Sequence, residues 1–169
     1  MKKLFINLAI LISSLNYAQT KDNFENLDIK IKHIELLFNE QKDNELAENI
    51  CPKIVRYIGN KDSAVVVFKY IFNLIKEQKI TKYKFTAGKH SKIVKSNTEL
   101  QCSVPTITEL ENDNVIVHTE STFLFFSDDN GKNWCFAVNG ENNSDYNKIL
   151  NLNAEIVIPE RIQKVTQKK

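Results

Sequence analysis

Residues 110–127 read LENDNVIVHTESTFLFFS, and this stretch decides the fold class. A polar turn at 111–114 opens it. Residues 115–126 are then so rich in β-branched and aromatic side chains that they read as one long strand. Side chains alternate across a strand, so Ile116, His118, Glu120, Thr122, Leu124 and Phe126 share one face. A second turn at 127–133 leads into another extended piece at 134–138, which completes a hairpin. Upstream, 80–86 alternates loosely, Gly88 marks a turn, and 93–104 continues as extended chain. Pro105, lacking an N–H, suits an edge or a bulge.

The amino-terminal half has a different period. Phe24, Leu27, Ile31, Ile34 and Phe38 recur at steps of three and four, which predicts a helix over 23–42. Leu46, Ile50, Ile54 and Ile58 predict a second helix from Asp43, kinked or restarted at Pro52 and ended by Gly59. A third begins near 60–62 and places Val65, Phe68, Ile71, Phe72 and Ile75 on one side. Its run of three valines lowers intrinsic helicity, so burial must hold it. After the hairpins, Tyr146, Ile149 and Leu150 suit a short helix, 156–158 reads as a last extended piece, and 160–169 as a charged, frayed tail. Helices followed by antiparallel hairpins make an α+β domain, with helices packed on a curved antiparallel sheet of about four to five strands.

The start of the chain carries a second message. Lys2 and Lys3 precede the apolar run 4–15, and Ala18 supplies a small residue before Gln19. That order is the secretory signal pattern, and the run falls short of the roughly 20 apolar residues a membrane span needs. The expected organisation is a signal peptide at 1–18, one domain over 19–159 and the tail. Removing 1–18 takes two of the 23 basic residues and none of the 21 acidic ones, leaving 21 of each. A formally neutral product offers no concentrated basic face for phosphates, so nucleic acid is not an expected partner. No membrane association is expected after the signal is removed.

Three cysteines, Cys51, Cys102 and Cys135, allow either one bridge with a thiol left over or three buried thiols. A Cys102–Cys135 bridge between strands is the pairing that the strand reading suggests. Scattered cysteines without paired spacing do not make a metal site, and His33 and His90 stand apart from other ligands. No cofactor-binding motif occurs.

Residues 127–134, SDDNGKNW, match the pattern S-x-D-x-G-x-x-W. Turn chemistry accounts for Ser127, Asp129, Gly131 and Trp134: Asp129 accepts bonds from turn amides, Gly131 supplies positive φ, and Trp134 packs beneath. The pattern is a structural hairpin device.

With PKIVRYIGNK (52–61) between two helices, and the long strand running into SDDNGKNWCF (127–136), the chain resembles the nuclear transport factor 2-like, cystatin-like cone superfamily over about 23–158. The resemblance implies bent antiparallel strands closed by helices around a pocket. The carboxy-terminal helix, and the absence of a strand between the second and third helices, depart from the usual order. Two function classes follow. One is an exported, non-catalytic module binding a small ligand or a protein. The other is a pocket isomerase or hydratase using His118 and Glu120 as base and acid.

Overall fold

Helix α1 spans Glu25–Asn39 and buries Leu27, Ile31, Ile34, Leu37 and Phe38, the stripe its periodicity describes. The computed structural model of the chain describes residues 24–96, 98–139 and 144–168; the signal-like segment lies outside them. Asn39, the last residue of α1, pairs with the edge of the first strand. Its Nδ2 donates to the Phe85 carbonyl and its Oδ1 accepts from the Phe85 N–H, both at 2.8 Å. A helix-borne amide thus occupies backbone groups that a bare edge would leave open.

The second helix of the sequence reading is two helices, α2 (Asp43–Asn49) and α3 (Pro52–Tyr57). Pro52 disfavours helical backbone at the residue before it, and Ile50 and Cys51 are both extended. Pro52 then serves as the first residue of α3, where its missing N–H costs nothing. The extended break is used: Ile50 bridges Phe136 in parallel, and the Cys51 N–H donates to the Phe136 carbonyl at 2.9 Å. Gly59, at φ 109°, ends α3. The Asn60 side chain then accepts from the Ser63 N–H and caps α4, Lys61–Glu77.

The sheet comprises six strands among the described residues: β1 (Lys82–Ala87), β2 (Val94–Lys95), β3 (Leu100–Glu111), β4 (Val115–Ser127), β5 (Cys135–Val138) and β6 (Ile162–Gln167). They run antiparallel in the order β1-β3-β4-β5, with β2 beside β3 and β6 beside β4. The sheet curls into a half-barrel against the helices. Pro105 lies inside β3. Its carbonyl accepts from the Gly88 N–H at 2.8 Å, so its donor-free nitrogen faces the place where β1 has ended and β2 has not begun. A Cβ on Gly88 would stand 2.9 Å from the Pro105 ring, so the crossing requires glycine.

Two cores share the sheet. On the concave side, α1 and α4 pack on Phe85, Cys102, Val104, Phe123, Phe125 and Phe136. On the opposite side, Leu124, Phe126 and Ala137 meet Cys51 and Ile54 at the α2–α3 junction, and Leu150 of α5, Ser144–Leu150. The end of β4 is therefore covered on both faces, which explains an unbroken FLFF where a one-sided strand would alternate. Phe136 stacks on Phe123 at 5.6 Å and meets Phe38, Phe68 and Phe125 within 6.5 Å. It joins both helices to the sheet.

Two expectations are corrected. Residues 160–168 are not a frayed tail: 162–167 form β6, and Lys168 donates its N–H to Asn114 O and reaches Glu111 Oε1 at 2.7 Å. β5 pairs only with 123–126 of β4, so the edge at 115–120 is open for β6. Every residue of β6 is exposed, and a strand that buries nothing leaves no apolar alternation to read. The disulfide joins Cys51 to Cys135, not Cys102 to Cys135, and Cys102 is a buried free thiol. The cause is the Pro52 break, which lays Cys51 against the start of β5.

Candidate functional site

A cleft of about 540 Å³ opens between α1, α4 and the concave face of the sheet. Its floor is aromatic, from Phe38, Phe68, Phe85 and Phe123. Ile71, Leu74 and Ile75 of α4 form one wall, and Leu110 and Val138 extend the apolar surface on the sheet side. Polar residues are few: Tyr83, Thr108, Thr119, Ser121, Thr122, Asn139 and Arg161. A largely apolar concavity of this size with a few converging polar groups suits a small organic ligand. The Thr106 and Ser121 hydroxyls bond each other at 2.9 Å. Burial raises the Tyr83 pKa, so its phenol stays neutral.

The cleft exists because α4 is only partly seated. Ala64, Phe68 and Phe72 are buried, whereas Ile71, placed by its spacing on the packed side, is 40% exposed along the cleft rim. On β4 the same face carries Thr119, Ser121 and Phe123.

His118 and Glu120 lie one step out of phase with those residues and stand on the other, convex face. His118 Nε2 is 3.3 Å from Glu120 Oε1, and its Nδ1 is 3.8 Å from Glu109 Oε1. The side chains are 32% and 46% exposed. His118 belongs to a polar cross-strand row, Lys84–Glu109–His118–Lys164, and Glu120 to the neighbouring row between Ile107 and Ile162. The structure brings His118 and Glu120 together, but not into the cleft.

The 127–134 turn is a closed hydrogen-bond set. Asp129 Oδ1 accepts from Ser127 Oγ at 2.8 Å and from the Asn133 N–H at 2.9 Å, and Oδ2 accepts from Asn133 Nδ2 at 2.6 Å. Ser127 Oγ accepts from the Gly131 N–H, and Trp134 Nε1 donates to the Gly131 carbonyl. Gly131 has φ 86°, and a Cβ there would touch the Phe24 ring at 3.1 Å. Donors from Asn133, then Ser127 and Lys132, pull the Asp129 carboxyl down to about 2.

A smaller cavity of about 330 Å³ lies at Lys53, Arg56, Glu99 and Cys135. Lys53 Nζ bonds Glu99 Oε1 at 2.7 Å and the Leu150 carbonyl at 3.0 Å, and sits 3.6 Å above the Phe126 ring. This ammonium ties α3 and α5 to the start of β3. Burial lowers its pKa even against the opposing effect of Glu99.

In the sequence the titratable pair His118 and Glu120 stands out more plainly than the residues of the cleft. The signal was present in Thr119, Ser121 and Phe123: small hydroxyls in phase with a core aromatic. Among the described residues, no group of three or more His, Cys, Asp or Glu side chains is placed to hold a metal. Nor is any described helix long and apolar enough to cross a membrane. No family profile, curated protein or solved structure matches the chain.

Proposed function

We propose that this chain is an exported, non-catalytic module of the nuclear transport factor 2-like cone type that holds a small, largely apolar ligand in the cleft between α4 and the sheet. The observation that carries the reading is the cleft itself: an aromatic floor under an open rim, left uncovered by a helix that packs only part of its apolar surface. Apolar area of that kind is costly to leave wet, and an apolar ligand recovers the cost. Among the described residues lining the cleft there is no carboxylate, imidazole or thiol. A general base has to reach the proton it removes, and His118 with Glu120 lies across the sheet from any molecule bound there. Binding therefore ranks ahead of isomerase or hydratase chemistry. Export is supported by the leader at 1–18 and by the Cys51–Cys135 bridge, which suits an oxidising compartment.

The test is fluorescence titration with the neutral apolar probe N-phenyl-1-naphthylamine. Wild type should bind one equivalent saturably. Ile71→Trp fills the rim from the helix side and Ser121→Phe fills it from the sheet side. Each should weaken binding about tenfold or more, or about 1.4 kcal/mol. Folded variants that bind as wild type does would refute the assignment.

A further inference from the structure

Two facing pairs of hydroxyl side chains lie on the concave face where β3 meets β4, and only one pair is closed. Thr106 opposes Ser121, and their hydroxyls bond each other at 2.9 Å. Two residues further along each strand, Thr108 opposes Thr119 in the same way. Neither of these hydroxyls has a hydrogen-bond partner among the described residues, and the same holds for the phenol of Tyr83. All three residues line the cleft and are half-buried. No fully buried side-chain oxygen among the described residues lacks a partner, so these three oxygens are accessible rather than sealed in the core. They also lie together. Phe85, part of the aromatic floor, opposes Thr108, and Tyr83 is two residues before Phe85 on the same face of β1. Directly opposed side chains leave a sheet about 5 Å apart and diagonal ones about 7–8 Å apart. One ligand oxygen can therefore meet more than one of the three.

We propose that the ligand is an uncharged alcohol or phenol, with its apolar body on the aromatic floor and its hydroxyl group received by Tyr83, Thr108 and Thr119. This rests on the cleft reading above. A hydroxyl has one donor and two acceptor positions, and each of the three receiving groups can donate or accept, so all of the ligand's hydrogen bonds can be met inside the cleft. Burial holds the Tyr83 phenol protonated, which keeps it a donor. A charged head group has no such complement there. It would lose water to a wall of neutral hydroxyls, and that desolvation is costly. No acidic side chain lines the cleft among the described residues, and Arg161 already has an interaction of its own. The closed Thr106–Ser121 pair bounds the receiving group on one side, because its hydroxyls are spent on each other.

The experiment uses decanol, decanoate and decylammonium, below their aggregation limits, as competitors of N-phenyl-1-naphthylamine on the full exported chain and on two variants. Wild type should bind decanol at least about tenfold more tightly than either charged competitor. Tyr83→Phe keeps the ring and removes the phenol oxygen, and Thr108→Val/Thr119→Val keeps the side-chain shape and removes both hydroxyls. Each should weaken decanol about fivefold or more while the naphthylamine probe binds as it does to wild type, which also shows that the variants are folded. Decanoate or decylammonium binding as tightly as decanol, or decanol affinity unchanged in both variants, would overturn the hydroxyl assignment and leave the cleft standing. A wild-type chain that fails to bind the naphthylamine probe at all would overturn both.

Discussion

Opening the Cys51–Cys135 bridge is the perturbation whose size follows most directly from the fold. The two residues are 84 apart in sequence, so the bond closes half the chain and constrains the unfolded state heavily. The chain-entropy relation gives about 4.6 kcal/mol at room temperature for a loop of that length. Native disulfides removed from small secreted domains cost about 2–5 kcal/mol, so a loss of about 3–4.5 kcal/mol is expected. For a domain of this size each kcal/mol moves Tm by about 2–4 °C, which places the fall at roughly 6–18 °C. The assay is thermal and urea unfolding of wild type, reduced wild type and the Cys51→Ala/Cys135→Ala double variant, followed by circular dichroism. Reduced wild type and the double variant should agree, and both should show a steeper urea dependence, because their unfolded chains expose more surface. Cys102→Ala should keep the bridge. A double variant within about 1 kcal/mol of wild type, or peptide mapping that finds Cys102 in the bridge, would refute the reasoning.

Further outcomes follow from single side chains. Phe136→Ala removes the ring that joins α1 and α4 to the β4–β5 hairpin, and should cost about 3–5 kcal/mol in urea unfolding. Cys102, whose thiol burial pushes up to about 12 with a smaller contribution from Asp28, should resist alkylation in the native protein at pH 8 and react once it is unfolded. Asp129 has a folded pKa of about 2 against an ordinary carboxyl value of about 4. Its contribution to stability is thus complete above about pH 4 and is lost as pH falls through about 2. Asp129→Ala should lower Tm at neutral pH, and the gap from wild type should close on acidification across that window.

How much of this was legible in the sequence depends on whether a feature leaves a local periodic signal. The α1 stripe of Leu27, Ile31, Ile34 and Phe38 and the β3–β4–β5 run could be read because each element buries one recognisable face. The 127–134 turn could be read because its bonds all lie within a few residues. The Cys51–Cys135 pairing could not, since it depends on the Pro52 break bringing the α2–α3 junction beside β5 across the whole chain. β6 was invisible for the opposite reason. Its pairing uses backbone groups alone, so Ile162 and Val165 sit in an otherwise polar segment with no alternation. Function was hardest of all. His118 and Glu120 are titratable groups two apart on one strand, but one step of strand phase separates them from Thr119 and Ser121, and with that step from the cleft.

That difference of face is also what the most direct measurement reads. With methyl-labelled protein, the neutral apolar probe N-phenyl-1-naphthylamine should shift the NMR signals of Ile71, Leu74, Ile75, Leu110 and Val138 around the cleft. The methyls of Ile107, Ile116 and Ile162, on the convex face with His118, should stay in place. Shifts confined to that convex row, or no shifts at all at saturating ligand, would contradict the account.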